Sequence, residues 1–176
     1  MRTTRSAFAV GAVSALAAGL LGGCTTAERD PRAYPGSPGG QKLENVLEAF
    51  ALRLPDCQVD ELGFAGSAKR GEERLGLSFR APKDCVQGFL AAHGTNTSRP
   101  LHWTPGREKE NNDAGLPPVL KSRSDKLGWK FDPAVTYELY VSATTPSGSR
   151  FTVVVDPNGP TERVFMDSVE LGRKRG

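Results

Sequence analysis

Three cysteines, two histidines and two tryptophans are the residues of this 176-residue chain best suited to chemistry or recognition. Their spacing narrows what they can do. His93 and His102 stand nine positions apart, and no His-x-x-x-His run or closely spaced cysteine pair supports them, so neither a metal nor a cofactor is expected. Gly63-Phe64-Ala65-Gly66-Ser67 lacks the strand-to-helix elbow of a hydrolase serine. Asp56, Asp60, Glu61, Glu72 and Glu73 fall where turns and strand ends are expected, the usual place for solvated carboxylates. Nothing marks either histidine as the base for Cys57 or Cys85. An enzyme is therefore not expected. The dense recognition set lies between Gly94 and Lys130, where both tryptophans accompany seven Lys/Arg and four acids. Trp103, Arg107, Lys109, Trp129 and Lys130 are the candidate binding surface, since aromatics with cations make up many hot spots. The alternative is that Trp103 and Trp129 pin this connection to a core while the charges stay solvated.

Cys24 owes its interest to what precedes it. Arg2 and Arg5 give a positive start, Ala7 to Leu20 an uncharged apolar run, and Leu21-Gly22-Gly23 a small-residue close. That is the layout of a secretory signal peptide over residues 1–23, too short to span a bilayer comfortably. With the cysteine directly after it, the segment resembles the lipobox of bacterial lipoproteins. The resemblance implies diacylglycerol on the Cys24 sulfur, cleavage after Gly23, and an acyl chain such as palmitate on the new amine. The competing reading is an ordinary signal peptide with an incidental cysteine. The lipobox reading places the protein at the outer face of the cytoplasmic membrane, with the membrane as a partner through the Cys24 lipid.

Processing also changes the charge. Lys plus Arg falls from 23 to 21 as Arg2 and Arg5 leave, against 20 Asp plus Glu, so the mature chain is nearly neutral. Nucleic acid is not an expected partner. In an exported protein Cys24 takes lipid, which leaves Cys57 and Cys85 as a pair in an oxidising compartment. A disulfide between them closes a loop of about 29 residues and contributes roughly 3–4 kcal/mol. The alternative is two reduced, buried thiols.

These residues need elements to hold them. Residues 24–40 are rich in Thr, Pro and Gly and read as a flexible tether; 41–176 read as a single α+β domain. Leu43, Val46, Leu47, Phe50 and Leu54 form one helical stripe that Pro55 ends. Val59 to Ala65 reads as a strand that tolerates Gly63 poorly. Arg74 to Arg80 alternates, with one face on a core and one in water. Pro82 starts a second helix that Gly94 stops. A long loop from Gly94 to Lys130 follows, then strands near Tyr137–Val141, Phe151–Val155 and Arg163–Leu171. The expected order is α-β-β-α-(long loop)-β-β-β, a mainly antiparallel sheet of about five strands with two helices on one face.

Leu54-Pro55-Asp56-Cys57, the Cys85 helix, Gly128 to Pro133 and Val153 to Pro157 together resemble small lipoproteins of Streptomyces-type actinobacteria. Those proteins carry no assigned activity, so the resemblance implies export, anchoring and the disulfide but no catalytic residue. The expected function is a lipid-anchored binding module of the cell envelope, its partner an envelope polymer or a membrane protein. The alternatives are a small extracytoplasmic hydrolase without a recognisable motif, or a structural partner of a membrane protein.

Overall fold

Val153, Val154 and Val155 are each fully buried, so consecutive side chains on opposite faces of one strand are both shielded from water. A computed structural model, which describes residues 28–37, 40–70, 73–107, 115–116, 118–145 and 148–168, shows how. Among the described residues three helices and six strands follow in the order α1 (Leu43–Ala49), β1 (Asp60–Ser67), β2 (Arg74–Pro82), α2 (Lys83–Ala92), β3 (Leu101–Trp103), α3 (Pro118–Leu127), β4 (Tyr137–Thr144), β5 (Arg150–Asp156) and β6 (Thr161–Ser168). The strands form one antiparallel sheet ordered β1-β2-β6-β5-β4-β3. The α+β class and antiparallel sheet agree with expectation. The counts differ, because the long connection contains both β3 and α3.

The two faces have separate cores. On the first, α1 and α2 lay Leu43, Val46, Val86 and Leu90 over Leu77, Phe79, Val153 and Met166. On the second, Leu120 and Trp129 cover Leu139, Val154 and Phe165, joined by Trp103 from the edge strand β3. The expectation that β2 turns its Gly76 and Ser78 side to water is therefore corrected. Both are buried, because α3 and Tyr34 lie across them. A Cβ on Gly76 would meet Leu127 Cδ1 at 2.7 Å, and one on Gly63 would meet the Tyr34 ring at 2.8 Å. Gly63 is thus no defect in β1 but the gap into which a ring fits.

Part of the segment read as a tether belongs to the domain. Ala33 bridges Phe64 beside β1, with Tyr34 N–H donating to the Phe64 carbonyl at 2.7 Å. The α1 helix has no capping side chain of its own at Lys42. Asp30 supplies the acceptor from outside, taking the Leu43 N–H at 3.0 Å while Arg32 grips it at 2.7 and 2.9 Å. The Arg32 guanidinium holds the Asp30 carboxyl well below the usual carboxylate range, opposing the effect of burial. Residues 1–27 and 38–39, which include the signal segment and Cys24, lie outside the described residues.

The first helix ends sooner than its stripe suggests. Ala51 adopts φ 51°, and Leu52 N–H bonds back to the Leu47 carbonyl at 2.9 Å, closing the helix with a left-handed residue. Cys57 and Cys85 are joined in a disulfide with Cα atoms 6.5 Å apart. It ties the segment entering β1 to the first turn of α2.

Two outcomes test this frame. Asp30→Ala should lower stability by about 2 kcal/mol, since a buried, charge-assisted acceptor is lost. Because the folded carboxyl titrates below its unfolded value, that contribution is present above about pH 4 and disappears as the pH falls further. Urea unfolding of wild type and variant at pH 7 and pH 3 should show the gap shrinking; a gap of zero at pH 7 would return residues 28–37 to a tether. Cys85→Ser should cost roughly 3–4 kcal/mol, and quantitative alkylation of both thiols in native protein would refute the disulfide.

Candidate functional site

The second core leaves a cleft above it. Its construction starts at Gly128, the residue that ends α3 with φ 69°. Trp129 N–H bonds back to the Ser124 carbonyl at 2.9 Å and Gly128 N–H to that of Asp125, so the chain reverses and the indole of Trp129 turns onto the sheet. Its ring lies 5.3 Å from Phe165, and its N–H donates at 3.0 Å to the Tyr34 hydroxyl, which itself bonds to Ser78. Two residues on, Phe131 packs 5.0 Å from both Trp103 and Phe165, and 5.3 Å from Tyr137. Asp132 N–H donates to the Tyr137 hydroxyl at 2.8 Å, locking this turn to β4. Burial pushes the Tyr137 phenol upward, so it stays neutral across the physiological range.

What remains open is a cleft of about 550 Å³. Trp103, Trp129, Phe131 and Leu116 give it apolar walls; Lys121, Asp125 and Lys130 stand at its rim, all exposed. Both tryptophans are nearly buried, 4% and 5% exposed, so each serves the core with its body and the cleft with an edge. Of the five residues grouped in the sequence, the structure brings Trp103, Trp129 and Lys130 together here. Arg107 follows Gly106, which lines the cleft, and Lys109 lies outside the described residues. Lys121 and Asp125 belong to the seven cations and four acids of that sequence set but not to its five surface candidates, and Leu116, Ser124 and Phe131 lie outside both. Pro118 at the start of α3 and Gly128 just after it are the sequence signals that could have revealed the helix carrying three of them.

A larger groove of about 750 Å³ runs along α2 beside the disulfide. His93 lies in it, but its Nε2 is engaged by the Arg53 backbone at 3.0 Å and its ring packs edge-on against Phe89 at 4.9 Å. Those bonds hold the end of α2 to the segment after α1, a structural task. Among the described residues no group of three or more His, Cys, Asp or Glu is placed to hold a metal, and no helix is long and apolar enough to cross a membrane.

Burial also isolates one carboxyl. Glu162 shares the α1/α2 face with Val164 and Met166, is 1% exposed, and has neither oxygen hydrogen-bonded. Lys83 is the nearest cation at 3.8 Å, from an exposed position that shields little. Burial raises the Glu162 pKa; Lys83 opposes this and Glu138 and Asp156 reinforce it. Nearby, the Tyr140 hydroxyl donates to Glu138 at 2.6 Å, and burial likewise drives that phenol strongly upward.

No family model matches the chain, and neither a curated protein nor a solved structure matches it.

The raised Glu162 carboxyl gives a signed expectation. Its folded pKa exceeds its unfolded one, so the favourable protonated state is complete below about pH 4 and is lost as pH rises through the folded value. Glu162→Gln should be more stable than wild type at pH 8, by about 1 kcal/mol, with the difference vanishing at low pH. Melting curves from pH 4 to 8 decide it; parallel curves would mean that Lys83 already neutralises the carboxylate.

Proposed function

We propose that this protein is a lipid-anchored binding module of the cell envelope. In this reading Cys24 carries the anchor at the outer face of the cytoplasmic membrane, and the cleft over the second core takes an anionic envelope polymer. The observation that carries the binding is the pairing of aromatic walls, Trp103, Trp129 and Phe131, with the rim lysines Lys121 and Lys130. An apolar floor accepts the ring or chain body of a polymer, and the cations accept its phosphates or carboxylates. The volume lies within the range of small-molecule sites, so the cleft holds one or two units of a polymer rather than a folded partner. The anchor rests on the basic start, the apolar run and Leu21-Gly22-Gly23-Cys24. The disulfide agrees with an oxidising, exported setting.

The chain's two tryptophans both border the cleft, so their emission reports occupancy without a label. Titration with soluble polyglycerol phosphate or an anionic glycan should change that emission, and the affinity should fall with salt as exposed charges are screened. Lys121→Ala with Lys130→Ala should weaken binding at least about tenfold while leaving the melting temperature unchanged, two charge-assisted contacts being lost. Emission that no polyanion alters, or equal affinity in the double variant, would remove this reading.

A further inference from the structure

Opposite ends of the sheet carry opposite charge, and both segments of chain that leave the described fold do so near the same end. At the acidic end β1 begins Asp60-Glu61, β5 ends at Asp156, and Glu138 and Glu162 lie one residue inside β4 and β6. The arginines there, Arg80 and Arg163, are both engaged by Glu61, at 3.3 and 3.5 Å. At the other end β1 runs into Lys69 and Arg70, β2 begins with Arg74 and β5 with Arg150, all exposed. Gln41 brings exposed Lys42 to this group by accepting the Ala68 N–H at 3.1 Å, which packs the start of α1 against the β1–β2 turn. Asp30 and Glu44 at this end are already occupied by Arg32, at 2.7 and 2.8 Å. Glu28, Glu48, Glu72 and Glu73, four acids against Lys42, Lys69, Arg70, Arg74 and Arg150, offset these cations only in part.

The chain path supplies the second half of the argument. With Asp30 clamped to the first turn of α1, only Thr25 to Arg29 separate Cys24 from the fold. Five residues reach about 17 Å when fully extended. At the other terminus the described chain ends at Ser168, whose hydroxyl accepts the Leu75 N–H at 2.9 Å, next to Arg74. Arg173-Lys174-Arg175 follow within a few residues.

We infer that the basic end of the sheet docks on anionic lipid headgroups, so that the domain stands on the membrane with its strands upright. This rests on the lipid-anchored reading and adds a surface and an orientation to it. The leash is only about two Debye lengths at physiological salt, so the anchor keeps these cations where the surface potential acts. Each Lys or Arg at such a surface strengthens association about fivefold, and several together fix which end faces down. The wall of the cleft built from Trp103 and Phe131 packs on Tyr137, at the first residue of β4, and so points away from the bilayer.

The test uses the mature lipoprotein reconstituted in vesicles of phosphatidylcholine, with and without phosphatidylglycerol. Trypsin cleavage after Lys69 and Arg70 should slow at least about tenfold in the anionic vesicles and recover at about 0.5 M salt, as expected for a screened surface. Cleavage after Arg107 should proceed equally in both. Lys42→Glu with Arg150→Glu, checked for an unchanged melting temperature, should lose most of the protection. Equal cleavage in both vesicles, or full protection in the variant, overturns the inference. Intact mass separates this from the anchor itself: acylated, vesicle-bound protein that is cut equally fast sinks the orientation alone. Absence of acyl mass and of vesicle association sinks the anchor.

Discussion

A sheet whose central strands are apolar on both faces must be covered twice, and most of this structure follows from that. Val153 to Val155 in β5, and Val164 to Met166 in β6, leave no side of the sheet that water can share. One layer of helices cannot satisfy them, whatever its quality. The α1/α2 layer accounts for Val153, Val155, Val164 and Met166; Val154 and Phe165 need something else. The second cover is assembled from pieces that would not hold alone: one helix, an aromatic turn and the ring of Tyr34, laid beside Trp103 of the edge strand β3. None of these is long enough to be stable without the sheet beneath it.

Close approach on that second face depends on what is missing from it. Gly63, Gly76 and Ser78 are the small residues of β1 and β2 that face the cover, and they leave room for Tyr34 and Leu127. Polar groups brought in with the cover are satisfied among themselves, Trp129 to Tyr34 and Tyr34 to Ser78, Arg123 to Asp167 at 3.1 Å. The first face works differently. It is apolar nearly throughout and stapled by the disulfide, and it contains the buried Glu162, whose oxygens accept no hydrogen bond and face only the distant Lys83. The N-terminal residues tie the two covers together, since Asp30 caps α1 on one side while Tyr34 reaches across the other.

The first face was legible in the chain because its signals are periodic. The stripe from Leu43 to Phe50, the alternation of Leu75, Leu77 and Phe79, and the Pro82-to-Gly94 helix each carry a single period over several turns. The second face was not, for a physical reason. Its elements are short, and their helix signals lie in punctuation rather than period: Pro118 at a helix start and Gly128 just after a helix end read equally well as loop formers. The Pro- and Gly-rich run before α1 misled in the same way, because Asp30, Ala33 and Tyr34 act through contacts with residues far along the chain. The candidate site shows the same division. Residue type marks Trp103, Trp129 and Lys130 and counts Lys121 and Asp125 among the charges around them, but only α3 brings those two to the same rim.

That division also bears on the proposed binding cleft. A cover made of one continuous amphipathic helix would close over its core and leave little relief. A cover pieced together from a helix, a reversed turn and a tyrosine ring meets the sheet and its edge strand β3 at several angles, and the cleft is the space where those angles fail to close. Tryptophan suits such a joint, since its large ring fills the core side while an edge remains at the surface. Lys121, Lys130 and Asp125 then sit on connecting or exposed backbone, where their identity changes the rim without disturbing Val154 or Phe165 below. The stapled face offers no such separation, because the groove beside the disulfide is lined by His93 and Phe89, which hold α2 in place. Under the proposed function, binding chemistry could therefore change on the second face at little cost in stability, and on the first face only by loosening the fold.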